Sequence, residues 1–388
     1  MQHLNYRYGT YRVMHPLATL DHVEPLLSAC GITRVADITG LDWIGLPVYQ
    51  AIRPMSRNLS VSQGKGLTRA QAKISAIMEA IELYHAEDIE VDHLEETIGN
   101  MRATLKYAPE ELPLASANVL NDSLKVAWIA ATNLASGTRE WVPKELCNLD
   151  LATQSRIHAH AFLASSNGLA SGNTLEEATL HGLLEVIERD SIARAHDTGL
   201  ARRVAIGEIG SRIVDGLLRR LEANRVGYSL LDITGPTGVP AFEVELHDSA
   251  LRTTVGGSGC HISRSSAAIR AITEACQTRL TVIAGTRDDL PGGGADKAGR
   301  YHHKARSEDR AQGYRATRFK SPVKYPHSNQ QLLASGGSLD VQGINWELIQ
   351  RIRAITARDP VRVNLTRVEI GVPVVFVVCP GLVFAPKH

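Results

Sequence analysis

Two stretches of this chain carry the same chemistry at the same spacing. Ser75 to Glu82 reads SAIMEAIE, and His181 to Glu188 reads HGLLEVIE. Ser75 is followed by Glu79 and Glu82, and His181 by Glu185 and Glu188, at identical offsets. On a helix turning about 100° per residue, each trio falls on one narrow face. Apolar residues border that face: Ile74, Ile77, Met78 and Ile81 in the first stretch, Leu183, Leu184 and Ile187 in the second. Half-buried carboxylates repel unless a cation lies between them. A solvated strip would explain one such helix. Two with the same offsets point to carboxylates that face one another across a metal. Glutamate oxygens with no cysteine nearby suit Mg²⁺, which keeps waters and bridges to phosphates. A di-iron centre would need Glu-x-x-His on two helices, and here His181 precedes its glutamates.

A third expected helix carries TEACQTR, which places Gln277 three positions after Glu274, with Arg279 close by. Glutamine and arginine suit nucleotide or phosphate contacts. SQGKG, Ser62 to Gly66, precedes the first stretch. It is not a Walker A loop, since Leu59 stands five before Gly64 and Gly66 follows Lys65 where Ser or Thr is required. It reads as a glycine-flanked turn from which Lys65 could reach a phosphate. SSNGLASGNT, Ser165 to Thr174, is a second small-residue loop entering a helix. Backbone N–H groups of such loops can approach anions, although plain turns have the same composition.

The elements that must position these residues are legible in outline. Residues 1 to 55 form an N-terminal segment, with a helix expected over TLDHVEPLLSACG and a strand over ITRVADIT. The first carboxylate helix is expected from Gly66 to about Asp88 with Thr68 as N-cap. WIAATNL and REWVPKEL suit an antiparallel hairpin. The second long helix begins at Thr174, where TLEE matches a capping box with Glu177. VGYSLLDIT and AFEVELH read as strands, and a third helix spans about Ser265 to Ile283. Residues 288 to 325 are polar, charged and rich in glycine, and are expected to form an exposed loop. Residues 340 to 388 hold a last helix, NWELIQRIRAIT, and strands. The fold class is α/β in the mixed α+β sense: one domain, helices on mixed sheets, two pseudo-duplicated halves and core motifs over 64 to 283.

The totals exclude several function classes. The 388 residues are 44% hydrophobic, enough for a sizeable core. With 42 basic and 41 acidic residues, no overall field favours nucleic acid or an anionic membrane. The N-terminus MQHLNYRYGTYR has no apolar run like that of a signal peptide, and VPVVFVVC, Val372 to Cys379, is far too short to span a bilayer. Five cysteines without a C-x-x-C pair indicate free thiols in a reducing compartment, and we expect a cytoplasmic protein.

Taken in order, GKGLTRAQAKISAIMEAIELY, SNGLASGNTLEEATLHGLLEVIERD and AIRAITEACQTR resemble the YcaO family. The resemblance implies an enzyme that binds ATP without a P-loop and activates a peptide backbone amide through its oxygen. By position it implies Mg²⁺ held by Glu79, Glu82, Glu185 and Glu188. Nucleotide contacts would come from Lys65, Ser75, the same four glutamates, His181, Gln277 and Arg279. His181 stands where other members often carry Asn or Gln. Arg189 and Arg194, just past the second pair, are candidates for steadying the phosphate that leaves, since arginine offers a fixed fork of donors. The HLNYRYGTYR start and PGL ending resemble members paired with TfuA proteins, which form thioamides. The Pro-rich tail of many azoline-forming members is not seen. Thioamide formation with a TfuA-like partner is therefore the expected activity. Azoline-forming cyclodehydration, amidine formation and a non-catalytic scaffold of the same fold are the alternatives. The substrate is expected to be a peptide or protein, and the enzyme a homodimer.

Overall fold

The computed structural model describes residues 3–115, 120–150, 161–199, 201–248, 253–286 and 339–384. The segment 288 to 325, read above as an exposed loop, lies outside them. The N-terminal part holds strands β1 (His3–Arg7) and β2 (Thr10–Arg12), helix α1 (Pro16–Val23), and strands β3 (Arg34–Asp37), β4 (Val48–Ile52) and β5 (Val61–Lys65). Helix α2 (Arg69–Glu87) follows, then β6 (His93–Thr97), α3 (Ile98–Arg102), β7 (Lys125–Asn133), β8 (Arg139–Pro143) and α4 (Lys144–Cys147). The central part holds β9 (Leu169–Ser171), α5 (Leu175–Thr198), β10 (Arg202–Arg203), α6 (Arg212–Ala223), β11 (Gly227–Asp232), β12 (Ala241–Asp248), β13 (Thr253–Cys260) and α7 (Arg264–Ala284). The C-terminal part is β14 (Leu339–Asp340), α8 (Val341–Thr356), β15 (Val361–Asn364) and β16 (Val374–Val378).

The strands form four sheets, with orders β14-β1-β2, β3-β4-β5, β10-β11-β12-β13 and β6-β7-β15-β16-β9, the last with β8 added on β7. Every pairing between described residues is antiparallel. The expected β7–β8 hairpin forms, with Ile129 opposite Val142. The helix expected up to Gly31 is shorter. It runs from Pro16 to Val23 and tightens into a 3₁₀ turn over Glu24–Leu26, because Pro25 has no N–H for an α-helical bond.

One unit recurs three times: a strand, a short turn, and a helix capped by a hydroxyl. Thr68, Thr174 and Ser263 are the caps, each accepting from the backbone N–H three residues on. Counting seven, eleven and fourteen positions from each cap gives Ser75/Glu79/Glu82, His181/Glu185/Glu188 and Arg270/Glu274/Gln277. The duplication read from sequence is thus a triplication. The expected capping box at Thr174 is only half made. Glu177 turns its carboxylate away from the cap, to Asn173 at 2.9 Å and to Val13 N–H at 3.2 Å.

SQGKG and SSNGLASGNT, read as loops, end strands β5 and β9 instead. The glycines of the first and third units serve helix–strand contact. A Cβ on Gly64 of β5 would lie 2.0 Å from Ala76 N and 2.3 Å from Ala72 O of α2. A Cβ on Gly259 of β13 would lie 2.3 Å from Ala267 O of α7. Each helix therefore rests its alanine face directly on strand backbone. Ile77, Ile81 and Trp128 fill the core beneath α2, and Leu183, Ile187 and Leu348 that between α5 and α8. Phe242, Val244 and Ile272 fill the core beneath α7. Overpacking a core costs about 1–3 kcal/mol. Because backbone is struck here, Gly259→Ala is expected to cost about 3 kcal/mol or more, read as a lower urea midpoint.

Candidate functional site

The carboxylates of the three helices are held in a ring. Glu79 of α2 accepts the Gln63 N–H of its own strand at 3.0 Å. Glu82, one turn on, accepts the N–H and hydroxyl of Ser171 at 2.8 and 2.6 Å, from the strand of the second unit. Glu188 of α5 accepts the Cys260 N–H and the Ser258 hydroxyl, both at 2.7 Å, from the strand of the third unit. Glu274 of α7 meets Lys65 Nζ at 2.7 Å, from the strand of the first. Each helix is thus fastened to the strand of the next unit. Glu185 faces Arg189, 3.9 Å away.

Charge is concentrated here at some cost. Burial pushes the Glu82 carboxyl up to about 7, and neighbouring Glu79 adds to the push against the Ser171 hydrogen bonds. Burial likewise raises Glu185 to about 8, with Glu82 and Glu188 adding repulsion and Arg189 opposing it. Burial would also raise Glu274, but Lys65, Arg189 and Arg270 outweigh it and hold that carboxyl below the ordinary value.

A cationic wall stands beside the ring. The β1–β2 hairpin turns at Tyr8 and Gly9, both with positive φ, as a tight two-residue turn requires. Its tip touches Leu67 and Ile269 at the starts of α2 and α7. Gln71 Nε2 donates to Tyr8 O at 3.3 Å, and Val13 N–H donates to Glu177 of α5. Arg12 of this hairpin donates to His181 Nε2. His181 Nδ1 lies 3.0 Å from the Ser171 carbonyl, so Nδ1 carries the proton and Nε2 is the acceptor for Arg12. Burial, with Arg12 and Arg270 nearby, holds His181 well below the ordinary imidazole value.

The residues expected from sequence divide. Glu79, Glu82, Glu185, Glu188, Lys65 and Arg189 lie together in the ring, and half-buried Ser75 shares the Glu79 face of α2. His181 meets Arg12 rather than an open cleft. Gln277 is half-buried, and its Oε1 has no partner. Arg279 does not belong with the ring: it is buried against Asp42 at 2.5 Å, an ion pair that ties α7 to the loop after β3. Nor does Arg194, whose Nε meets buried Asp190 at 2.8 Å, beside the Val383 N–H of the C-terminal segment. The positions of Arg194 and Arg279 fall outside the face shared by the glutamates, which the helical offsets themselves could have shown. The reading above missed Arg12, Arg270 and Glu274 as site residues. The last two follow from the third cap at Ser263, whereas no local signal marks Arg12.

The family match accords with this geometry. Residues 63–383 match the family described as YcaO cyclodehydratase, ATP- and Mg²⁺-binding. The chain belongs to the YcaO family. An uncharacterized protein from the tfuA 3′ region of Rhizobium leguminosarum bv. trifolii is 37% identical over 301 residues, covering 72% of this chain and 69% of that protein. Among solved structures, a heterocyclase in complex with substrate and cofactor is similar with TM-score 0.79 and 22% identity over 98% of this chain, which spans 54% of that protein. YcaO from Methanopyrus kandleri, bound with AMPPCP and Mg²⁺, gives TM-score 0.71 and 21% identity, covering 100% of this chain and 98% of that one. This YcaO chain is an ATP- and Mg²⁺-binding enzyme with the family's non-P-loop fold. No helix among the described residues is long and apolar enough to cross a membrane.

The donor set fits Mg²⁺. Among the described residues, no three His, Cys, Asp or Glu side chains are gathered tightly enough to hold an ion unaided. Mg²⁺ asks for less, since it uses one or two carboxylates and completes its shell with water and substrate phosphates. The raised carboxyls set a pH dependence. Glu82 and Glu185 bind protons in the fold at pH values where the unfolded chain, at 4.5, has released them. Their contribution to stability is therefore present below about pH 4.5 and is lost as pH rises to about 8. The melting temperature of the ligand-free enzyme should fall over that window, less so in Glu185→Gln, while the rise produced by Mg²⁺ with ATP should grow. Thermal melts across pH check this.

Proposed function

We propose that this YcaO enzyme uses ATP to phosphorylate the oxygen of a peptide backbone amide while a nucleophile adds to the amide carbon. The observation that carries this reading is the ring of carboxylates from three helices, two of them raised to about 7 and 8, beside the arginines of the hairpin and α7. When bound, Mg²⁺ offsets the charge of the triphosphate and draws on Glu79, Glu82, Glu185 and Glu188. Arg189, close to Glu185 and under the pull of Glu188 and Glu274, stands where it could follow charge onto the departing phosphate. In the reaction the carbon–nucleophile bond forms and the carbonyl oxygen takes the γ-phosphoryl group, releasing ADP. The carbon–oxygen bond then breaks, and the oxygen departs with the phosphate and the electron pair. A neighbouring Cys, Ser or Thr side chain, with its own proton and the amide N–H proton released to solvent, gives an azoline, and external hydrosulfide, releasing its proton, gives a thioamide.

The likeness to the heterocyclase supports cyclodehydration better than the thioamide expectation drawn from the chain's two ends. Thioamide formation with a TfuA-like partner is the second reading, favoured by the relative from a tfuA 3′ region. All five cysteines are free, and burial pushes every thiol up, so none is suited to carry sulfur as a thiolate. Sulfide, if used, would come from outside the chain, and a second protein would recruit the peptide.

The test is the intact mass of a cognate peptide after incubation with enzyme, ATP and Mg²⁺, with and without sulfide and a TfuA-like protein. Loss of one water without sulfide is the expected result. A gain matching oxygen replaced by sulfur, dependent on sulfide, would select the second reading. Glu79→Gln and Glu185→Gln should each lower turnover about a hundredfold, the scale of losing a principal electrostatic stabiliser. Near-normal rates in both would remove these carboxylates from the metal site.

A further inference from the structure

His261 has no part in the readings above, yet it lies where the third unit meets the hairpin and His181 of the second unit. It sits between the end of β13 and the α7 cap Ser263, and is only 4% exposed. Its Nδ1 is 3.0 Å from the Ser263 backbone nitrogen, which can only donate. Nδ1 is therefore the unprotonated nitrogen, and the neutral ring carries its hydrogen on Nε2. The ring stacks on Tyr11 at 5.5 Å and 19°, next to Arg12. Burial, then Arg270 and Arg12, push the imidazole down to about 3, so it stays neutral. His181 is a further neighbour, kept neutral by burial and by the same two arginines. The Nε2–H finds no acceptor among the described residues. The wall thus gathers two guanidinium groups and a fixed neutral donor, with the carboxylates in the ring beside it. Arg12 already donates to His181, but Arg270 Nε is buried without a partner, and donors such as this and His261 Nε2 are what an anion's oxygens satisfy.

We propose that His261 is a ligand-binding residue whose Nε2–H donates to a phosphate oxygen of the bound nucleotide. The proposal rests on the ATP site described above. Asparagine and glutamine separate the two ring nitrogens. In His261→Asn, the side-chain oxygen can still accept the Ser263 N–H as in an Asx-turn, but the Nε2 donor is gone. In His261→Gln, the longer side chain can return an N–H near the Nε2 position. Calorimetric titration of the full chain with AMPPCP and Mg²⁺ is the measurement, with thermal melts alongside. His261→Asn should melt like the wild type and bind about tenfold more weakly or worse, as for a lost hydrogen bond to a charged group. His261→Gln should recover part of the affinity. Wild-type affinity in His261→Asn, or equal weakening in both variants with a lowered melting temperature, would overturn the proposal. Failure of the wild type itself to bind AMPPCP would overturn the ATP site, and the proposal with it.

Discussion

Like charges gathered in a partly buried place repel, and the rest of this structure is arranged around that repulsion. Glu79, Glu82, Glu185, Glu188 and Glu274 come from three helices that would drift apart if the carboxylates were left to themselves. Each pair of helices is instead joined through a strand. Glu82 is tied to Ser171, Glu188 to Ser258 and Cys260, and Glu274 to Lys65. Because the ties run from one unit to the next and return to the first, no single helix can shift without pulling on a second unit. Backbone N–H groups suit this task, since they donate to a carboxylate without bringing a full charge that would cancel the pull on a cation.

The close seating of helices on strands follows from the same need. A hydrogen bond from strand backbone to a helix side chain requires a short gap between the two elements. Gly64 and Gly259 provide it by letting Ala72, Ala76, Ala267 and Ala271 rest on the strand itself. The glycines that resemble phosphate-loop residues in sequence thus act by removing bulk. Lys65 leaves the end of the same strand and reaches across to the third helix.

The opposite charge is supplied from far away in the chain. The β1–β2 hairpin touches the entrances of all three capped helices, and it is held from behind where Leu4 pairs with Leu339. It brings Arg12 against His181 and Tyr11 against His261. An anionic ligand that spanned the ring and the wall would therefore touch all three units and the hairpin at once. Such a ligand would stabilise the assembled ring, and its loss would favour the protonated forms of Glu82 and Glu185.

How much of this was legible beforehand depended on the range of the forces involved. Helix caps, helical offsets and strand alternation are local, and they sufficed for α2, α5 and α7, for the β7–β8 hairpin and for the facing glutamates. The family resemblance rested on the same local strings. Pairings between distant segments were not legible. Nothing near Arg12 says that it meets His181, because that contact depends on a turn at Tyr8–Gly9 packing between Leu67 and Ile269. Arg279 looked like a ligand for anions until the fold supplied Asp42 from a distant loop, whereas Asp190, the partner of Arg194, stands four residues before it on the same helix and was legible in the sequence. The sequence by itself determined which residues share a helix face. Only the tertiary structure decided which faces meet, because the energy that orients them comes from burial and from hydrogen bonds between units far apart in the chain.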